Sequence, residues 1–252
     1  MKNSELTYKE IYGQPVSFQA VNDTLDTIFK TLDEVFAEKY DEVIFTGCGT
    51  SLYLAQASAH AFSTCTGISA KGMCCSELYY FPETYVGNGK KVLVVPMTRK
   101  SYTTEVRMAI DKVRSYPGVK SLAITCDPDS SKYNDYMLLS PETPEDSVIM
   151  TRSFTSMIYL AVVMSYYVGG KKEKIEQLKD YAANAESFLK ATDEMAKKIV
   201  AEHPECNLFI TLGQGINYGI ANECMNKMKE MSLSNSEAYY TLEYRHGPMS
   251  LV

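Results

Sequence analysis

The sequence predicts an α/β protein built on a doubly wound parallel sheet, and three stretches carry that prediction. Glu42-Val-Ile-Phe-Thr46 is a short β-branched and aromatic run that stops at Gly47-Cys48-Gly49-Thr50-Ser51, after which Leu52 to Ser63 reads as an alanine-rich helix. Lys91-Val-Leu-Val-Val95 is a second strand, followed by a polar turn from Pro96 to Tyr102 and a helix from Thr103 to Ser115. Asn207 to Leu212 repeats the pattern a third time, running into Gly213-Gln-Gly215 and another helix. Strand, glycine turn and helix in that order open a parallel βαβ unit.

The remaining elements follow from the same signals. Val21, Leu25, Ile28, Phe29, Leu32, Val35 and Phe36 fall at helical spacing, which predicts one amphipathic helix over residues 15–38. Val119 to Thr125 is a strand ended by Asp127-Pro128-Asp129, Tyr136 to Leu139 is a further short strand, and Thr151 to Val168 is a buried helix. Gly169-Gly170 ends that helix, and residues 172–201 read as a charged connector of two helical parts. These boundaries give an N-terminal helical segment (1–40), a first α/β domain (41–170), a helical connector (171–201) and the start of a second domain (202–252).

Composition limits what such a protein does. The chain has 252 residues, 45% hydrophobic and 22% charged, within the ordinary globular range. Its net charge of -6 disfavours nucleic acid or an anionic membrane as partner, so an anionic ligand must be held by local devices. The seven cysteines lack paired zinc spacing, and Cys74-Cys75 is a poor disulfide framework. Met1-Lys2-Asn3 does not open a charged-then-apolar leader, and Met157 to Val168 is too short to span a bilayer. A soluble protein of the reducing cytoplasm is expected, with no metal and no cofactor.

Three turns lie where the carboxyl ends of parallel strands meet helix N-termini, a place suited to anions. Gly47 to Ser51 offers glycines, two hydroxyls and open amides; Thr98-Arg99-Lys100-Ser101-Tyr102-Thr103 adds two cations and three small hydroxyls; Gly213 to Gly215 is the third. The residues alone also allow a tight turn without a ligand, with Arg99 and Lys100 as a solvated pair. Glu223, Lys227 and Glu230 share one helical face, which from spacing alone reads first as an exposed salt-bridge ladder. Glu230 and His246, the latter between Arg245 and Gly247-Pro248, are candidate acid/base groups.

Five stretches together resemble the sugar isomerase (SIS) domain family: Gly47 to Ser51, Thr98 to Thr103, Val148 to Thr155, Asn222 to Glu230, and Glu237-Ala-Tyr239 to Arg245-His-Gly-Pro248. The pattern is most similar to the isomerase half of glucosamine-6-phosphate synthase and to the fructosamine-6-phosphate deglycases. The resemblance implies flavodoxin-like SIS domains in tandem, the second one truncated at Val252, with a phosphorylated sugar bound between them. It implies that Thr98, Arg99, Lys100 and Thr103 hold the phosphate, that Cys48, Gly49, Thr50 and Ser51 line the site, and that Val148 makes a backbone contact to the sugar. It further implies Glu230 as the base moving a proton between C1 and C2, with His246 assisting ring opening across a homodimer. The implied activity is isomerisation, deamination or deglycation of an amino- or amine-bearing hexose 6-phosphate; a sugar-phosphate sensor is the alternative. No glutaminase segment precedes Met1, so ammonia transfer from glutamine is not expected. The second turn departs from the family's Ser-x-Ser-Gly-x-Thr, carrying Thr98, Lys100, Ser101 and Tyr102 at Ser, Ser, Gly and a usual Glu. For catalysis, Glu230 must face a cavity continuous with residues 98–103.

Overall fold

The computed structural model describes residues 3–87 and 89–251. Met1, Lys2 and Val252 lie outside the described residues, and with them the expectations about the leader and the chain's last residue. Helices α1 (Asn3–Tyr12), α2 (Gln14–Asp23) and α3 (Leu25–Val35) precede strand β1 (Glu42–Gly47). Then come α4 (Thr50–Thr66), β2 (Ala70–Cys74), the short helices α5 (Cys75–Tyr80) and α6 (Pro82–Val86), and β3 (Val92–Thr98). Next are α7 (Thr104–Val113), β4 (Val119–Thr125), β5 (Tyr136–Leu139) and α8 (Arg152–Val168). The chain continues through α9 (Lys172–Glu202), β6 (Leu208–Gly213), α10 (Ile216–Ser232) and β7 (Asn235–Tyr240).

Strands β1 to β5 form one parallel sheet in the order β2-β1-β3-β4-β5, the doubly wound order of flavodoxin-like folds. Both faces are covered, so the central strands are apolar on both sides. Val43 and Phe45 of β1, with Leu93, Val95 and Met97 of β3, pack under α3, α4 and α8. Ile44, Val92 and Val94 face the opposite way, onto α5 and α7. That double burial is why the sequence shows continuous apolar runs rather than alternation.

Four differences from the sequence reading have local causes. The helix expected over 15–38 is broken at Thr24, whose hydroxyl bonds back to Ala20 O and Val21 O. Its expected core residues Val21, Leu25, Ile28, Leu32 and Val35 are buried as predicted. The connector is one unbroken helix of 31 residues, because no glycine or proline lies between Lys172 and Glu202. Acid-to-lysine pairs one turn apart, Glu186 to Lys190 and Asp193 to Lys197, support it. Strand β3 runs through Pro96 to Thr98, with pairing to β4 resuming at Met97. Strand β2 escaped the sequence reading because Ala70-Lys-Gly-Met-Cys74 has no β-branched run. Gly72 is required there by packing: a Cβ would stand 2.4 Å from the Gln56 Cα of α4.

A second, two-stranded parallel sheet pairs β6 with β7. Its opening repeats the geometry of the first. Gly49 has φ 56° and ψ -128°, and Gly215 has φ 60° and ψ -128°. In both turns the first glycine passes so close to its helix that a side chain would collide, with Ser51 O at 2.4 Å and Asn217 O at 2.1 Å. The two helices that follow, α4 and α10, each have 17 residues and pack on one another. Their seventh residues, Gln56 and Asn222, bond across the contact at 3.2 Å. Gly219 makes this approach possible, since a Cβ there would lie 2.6 Å from Tyr53 O and Ala57 N.

Gly219→Ala therefore forces α10 off α4 and is expected to destabilise the protein by about 1–3 kcal/mol, the usual cost of overpacking. A urea midpoint equal to that of the unmodified protein would show that the helices tolerate the extra atom.

Candidate functional site

The carboxyl ends of β1 and β3 carry two adjoining turns, and between them is a cavity of about 160 Å³. Cys48, Ser51, Thr98, Arg99, Lys100 and Thr103 all border it, with Met150 from the loop before α8. Six residues singled out from the sequence thus converge on one hollow. The Ser51 hydroxyl has no hydrogen-bond partner among the described residues and borders the cavity. Helix α4 begins at Thr50, so the positive end of its dipole lies at the same region, although the Ser51 and Leu52 amides already bond the carbonyls of Cys48 and Gly49.

The turn from Thr98 to Thr103 is stitched to itself. The hydroxyls of Thr98 and Thr103 both donate to the Lys100 carbonyl, at 2.8 and 3.3 Å. Ser101 donates both its amide and its hydroxyl to one oxygen of Asp127, at 2.8 and 2.6 Å. Burial pushes the Asp127 carboxyl upward, but the bonds from Ser101 and Asp129 outweigh it and hold the group below its ordinary value.

The two cations of this turn differ in kind. The Arg99 guanidinium is paired with Glu145 at 3.1 Å, the Arg99 side chain being 17% exposed and that of Glu145 0%. Arg99 also donates to Ser147 O and Val148 O, both at 3.1 Å. Glu145 in turn accepts from the amides of Thr151 and Ser153 at the N-terminus of α8, where a negative charge is favoured. Arg99 and Glu145 therefore tie β3, the 145–148 loop and α8 together. The Lys100 ammonium lies 5.7 Å from the Tyr102 ring centroid and has no carboxylate partner among the described residues. It is the cation left free to meet an anion here.

Val148 does not border the cavity; its side chain is exposed and its carbonyl is held by Arg99. Thr50 is also occupied elsewhere. Its hydroxyl donates to Glu223 Oε1 at 3.2 Å and accepts from Asn226 Nδ2 at 3.2 Å and Lys227 Nζ at 2.9 Å. One donor and two acceptor sites exhaust a hydroxyl.

The predicted ladder on α10 forms, with Lys227 2.8 Å from Glu223 and 2.7 Å from Glu230, but it is not an exposed one. Glu223 is 5% exposed, and burial raises its carboxyl above the ordinary value against the pull of Lys227. Lys227 is the residue whose importance the sequence concealed. Its spacing was legible, but its contact with Thr50 at the start of α4 was not, because that contact joins distant segments. Glu230 sits at the exposed end of the ladder, its side chain 41% exposed, and does not border the cavity. The expected continuity of Glu230 with residues 98–103 is not seen among the described residues of the single chain, where the carboxylate is paired with Lys227. His246 follows a short 3-10 turn (Glu243–Arg245) and is exposed, its ring bonding to nothing among the described residues.

A larger cavity of about 430 Å³ opens at the second glycine turn, lined by His60, Gln214, Gly215 and Tyr218 among others. No lysine or arginine borders it, so it offers a phosphate no charge partner. Among the described residues, His203, Glu205 and Cys206 bring three donor atoms within 4.8 Å of one another, all exposed beyond α9. No described helix is long and apolar enough to cross a membrane.

Comparison with known proteins decides the family: residues 37–168, just over half of the chain, match the SIS domain. The chain belongs to the SIS domain family. This SIS protein is 27% identical over 257 residues to a glutamine–fructose-6-phosphate aminotransferase (isomerizing) of Helicobacter pylori, a match covering 97% of the chain and 42% of that relative. Its structure superposes with a TM-score of 0.84 and 25% identity on the C-terminal domain of glucosamine-fructose-6-phosphate aminotransferase from Francisella tularensis, covering 98% of this chain and 72% of that one. A glucosamine-6-phosphate deaminase from Thermotoga maritima matches with a TM-score of 0.76 and 28% identity, covering 94% and 73%. The SIS match spans β1 to α8, the segment that builds the cavity.

The Arg99–Glu145 pair gives a direct test of how this SIS site is held. Glu145→Ala leaves a nearly buried guanidinium without its carboxylate, and a loss of about 3–5 kcal/mol is expected in urea unfolding. A loss below about 1 kcal/mol would mean that the pair is solvated and does not organise the turn.

Proposed function

We propose that this chain binds a hexose 6-phosphate, with the phosphate in the cavity between the β1 and β3 turns, and that it belongs to the phosphosugar-converting branch of its family. One observation carries the reading: Ser51, Thr98, Thr103 and the unpaired Lys100 ammonium converge on one hollow at the carboxyl ends of adjacent parallel strands. The relatives' names support the substrate class, since each acts on a fructose or glucosamine 6-phosphate. In this reading residues 202–252 begin a second domain like the first, which the repeated glycine turn supports.

Aldose–ketose conversion needs a base that moves a proton between C1 and C2. Glu230 is the candidate, and Lys227 beside it is placed to stabilise charge developing on the adjoining oxygen. For this, Glu230 must leave Lys227 or the sugar must reach over Lys227 toward α10. His246, exposed in the single chain, fits a role in ring opening at a partner subunit's site, so a homodimer is part of the proposal. Isomerase, deaminase and deglycase activities share the proton transfer and differ in the fate of the nitrogen. A second reading, a sensor that binds without turnover, is favoured by the pairing of Glu230 with Lys227 outside the cavity.

Two variants distinguish these readings. Lys100→Ala removes the free cation and is expected to weaken fructose 6-phosphate binding roughly tenfold, about 1.4 kcal/mol, with a smaller salt dependence. Unchanged affinity would move the phosphate elsewhere. Glu230→Gln is expected to abolish exchange of solvent deuterium into the bound sugar by NMR while leaving its thermal stabilisation intact. Binding without exchange in the unmodified protein selects the sensor.

A further inference from the structure

We infer that Cys48 and Cys75 form an oxidisable dithiol beside the cavity, a modification site at which a hydroperoxide joins the two sulfurs as an intrachain disulfide. The placement follows from strand pairing. Gly47, the last residue of β1, is registered with Cys74, the last of β2, so Cys48 in the turn and Cys75 at the start of α5 directly follow the paired ends of two neighbouring parallel strands. Such strands run about 4.8 Å apart, and a disulfide spans Cα separations of about 4.4–6.8 Å. Cys48 packs against the buried cluster that contains Cys75, and the Thr46 hydroxyl reaches Cys75 Sγ at 3.4 Å. The two thiols are near enough that each perturbs the other's titration. Cys74 alternates to the other face, where its sulfur lies 3.2 Å from Ser76 Oγ.

Access to the pair is one-sided. Cys75 is fully buried, whereas Cys48 borders the cavity, so a small oxidant arriving there meets Cys48 first. The neighbouring Cys75 thiol lowers the Cys48 thiol below its ordinary value, against burial and the charge of Glu105. That favours the thiolate, the nucleophilic form. Cys126, one residue past β4, is pushed by burial up to about 12 and stays a thiol.

The chemistry balances with hydrogen peroxide as oxidant. The Cys48 thiolate attacks one peroxide oxygen; an S–O bond forms, the O–O bond breaks, and the departing hydroxide takes up a proton as water. Cys48 is then a sulfenic acid. The Cys75 sulfur attacks it, the S–S bond forms, and the S–O bond breaks. The released hydroxide takes the Cys75 proton, giving a second water. Two thiols and one peroxide become one disulfide and two waters, and a dithiol reductant reverses the change.

Non-reducing peptide mapping of the peroxide-treated chain tests this. A linked pair of peptides carrying Cys48 and Cys75, lost on treatment with dithiothreitol, is the expected result. Cys75→Ser should leave Cys48 as a sulfenic acid trapped by dimedone, and Cys48→Ser should leave Cys75 a free thiol. A Cys74–Cys75 bridge overturns the assignment. So does a wild-type chain in which Cys48 passes to the sulfinic acid while Cys75 stays reduced.

Discussion

The Thr50 hydroxyl is the point on which the rest of the arrangement depends. It stands at the first residue of α4, immediately after the glycine turn that ends β1, and it is grasped by Glu223, Asn226 and Lys227 of α10. Two helices from segments far apart in the chain thereby meet at one small side chain. Gly219 and the Gln56–Asn222 bond extend the contact along the helices. The burial of Glu223 makes this an electrostatically demanding junction. A carboxylate withdrawn from water must be matched by Lys227 and by the hydroxyl, or its charge is costly. The same junction sets the position of Glu230, because the ammonium that pairs with Glu223 also holds Glu230. Structure and candidate chemistry therefore share one lysine.

The second turn has a related economy. Asp127 and the Lys100 carbonyl take up hydroxyl and amide donors that an anion would otherwise engage. Arg99 is engaged by Glu145 and serves as a brace between β3 and the N-terminus of α8. What remains without a hydrogen-bond partner among the described residues at the cavity's border is the Lys100 ammonium and the Ser51 hydroxyl. A turn whose conformation is fixed by internal bonds is a preorganised one, and a ligand that enters has only to rotate the hydroxyls of Thr98 and Thr103.

Parts of this architecture were legible before any coordinates. Strands β1 and β3 announced themselves because burial on both faces leaves a nearly continuous apolar run, β4 through its Leu122-Ala-Ile124 stretch, and α4 and α10 because each follows a glycine pair. Cys48, Ser51, Thr98, Arg99, Lys100 and Thr103 were identified together since they lie at strand ends in a repeated pattern. The break at Thr24 was hidden because the apolar period continues across it. Strand β2 was hidden because its residues are chosen to fit under α4, with Gly72 set by the closeness of Gln56, rather than to favour extended backbone.

What the sequence determined by itself was local: the alternation of strand, glycine turn and helix, and the chemical character of the residues at each turn. These depend on backbone freedom and on side-chain polarity, which are properties of neighbouring residues. Tertiary structure alone decided which of those polar groups are already satisfied. Arg99 is neutralised by Glu145, Thr50 is spent on α10, and Glu230 is turned toward Lys227, whereas Lys100 is left without a carboxylate. The physical reason is that a charge or a hydroxyl finds its partner through space: Glu145 lies 46 residues from Arg99 and Lys227 lies 177 from Thr50, while Lys227, three residues from Glu230, is fixed by that distant contact.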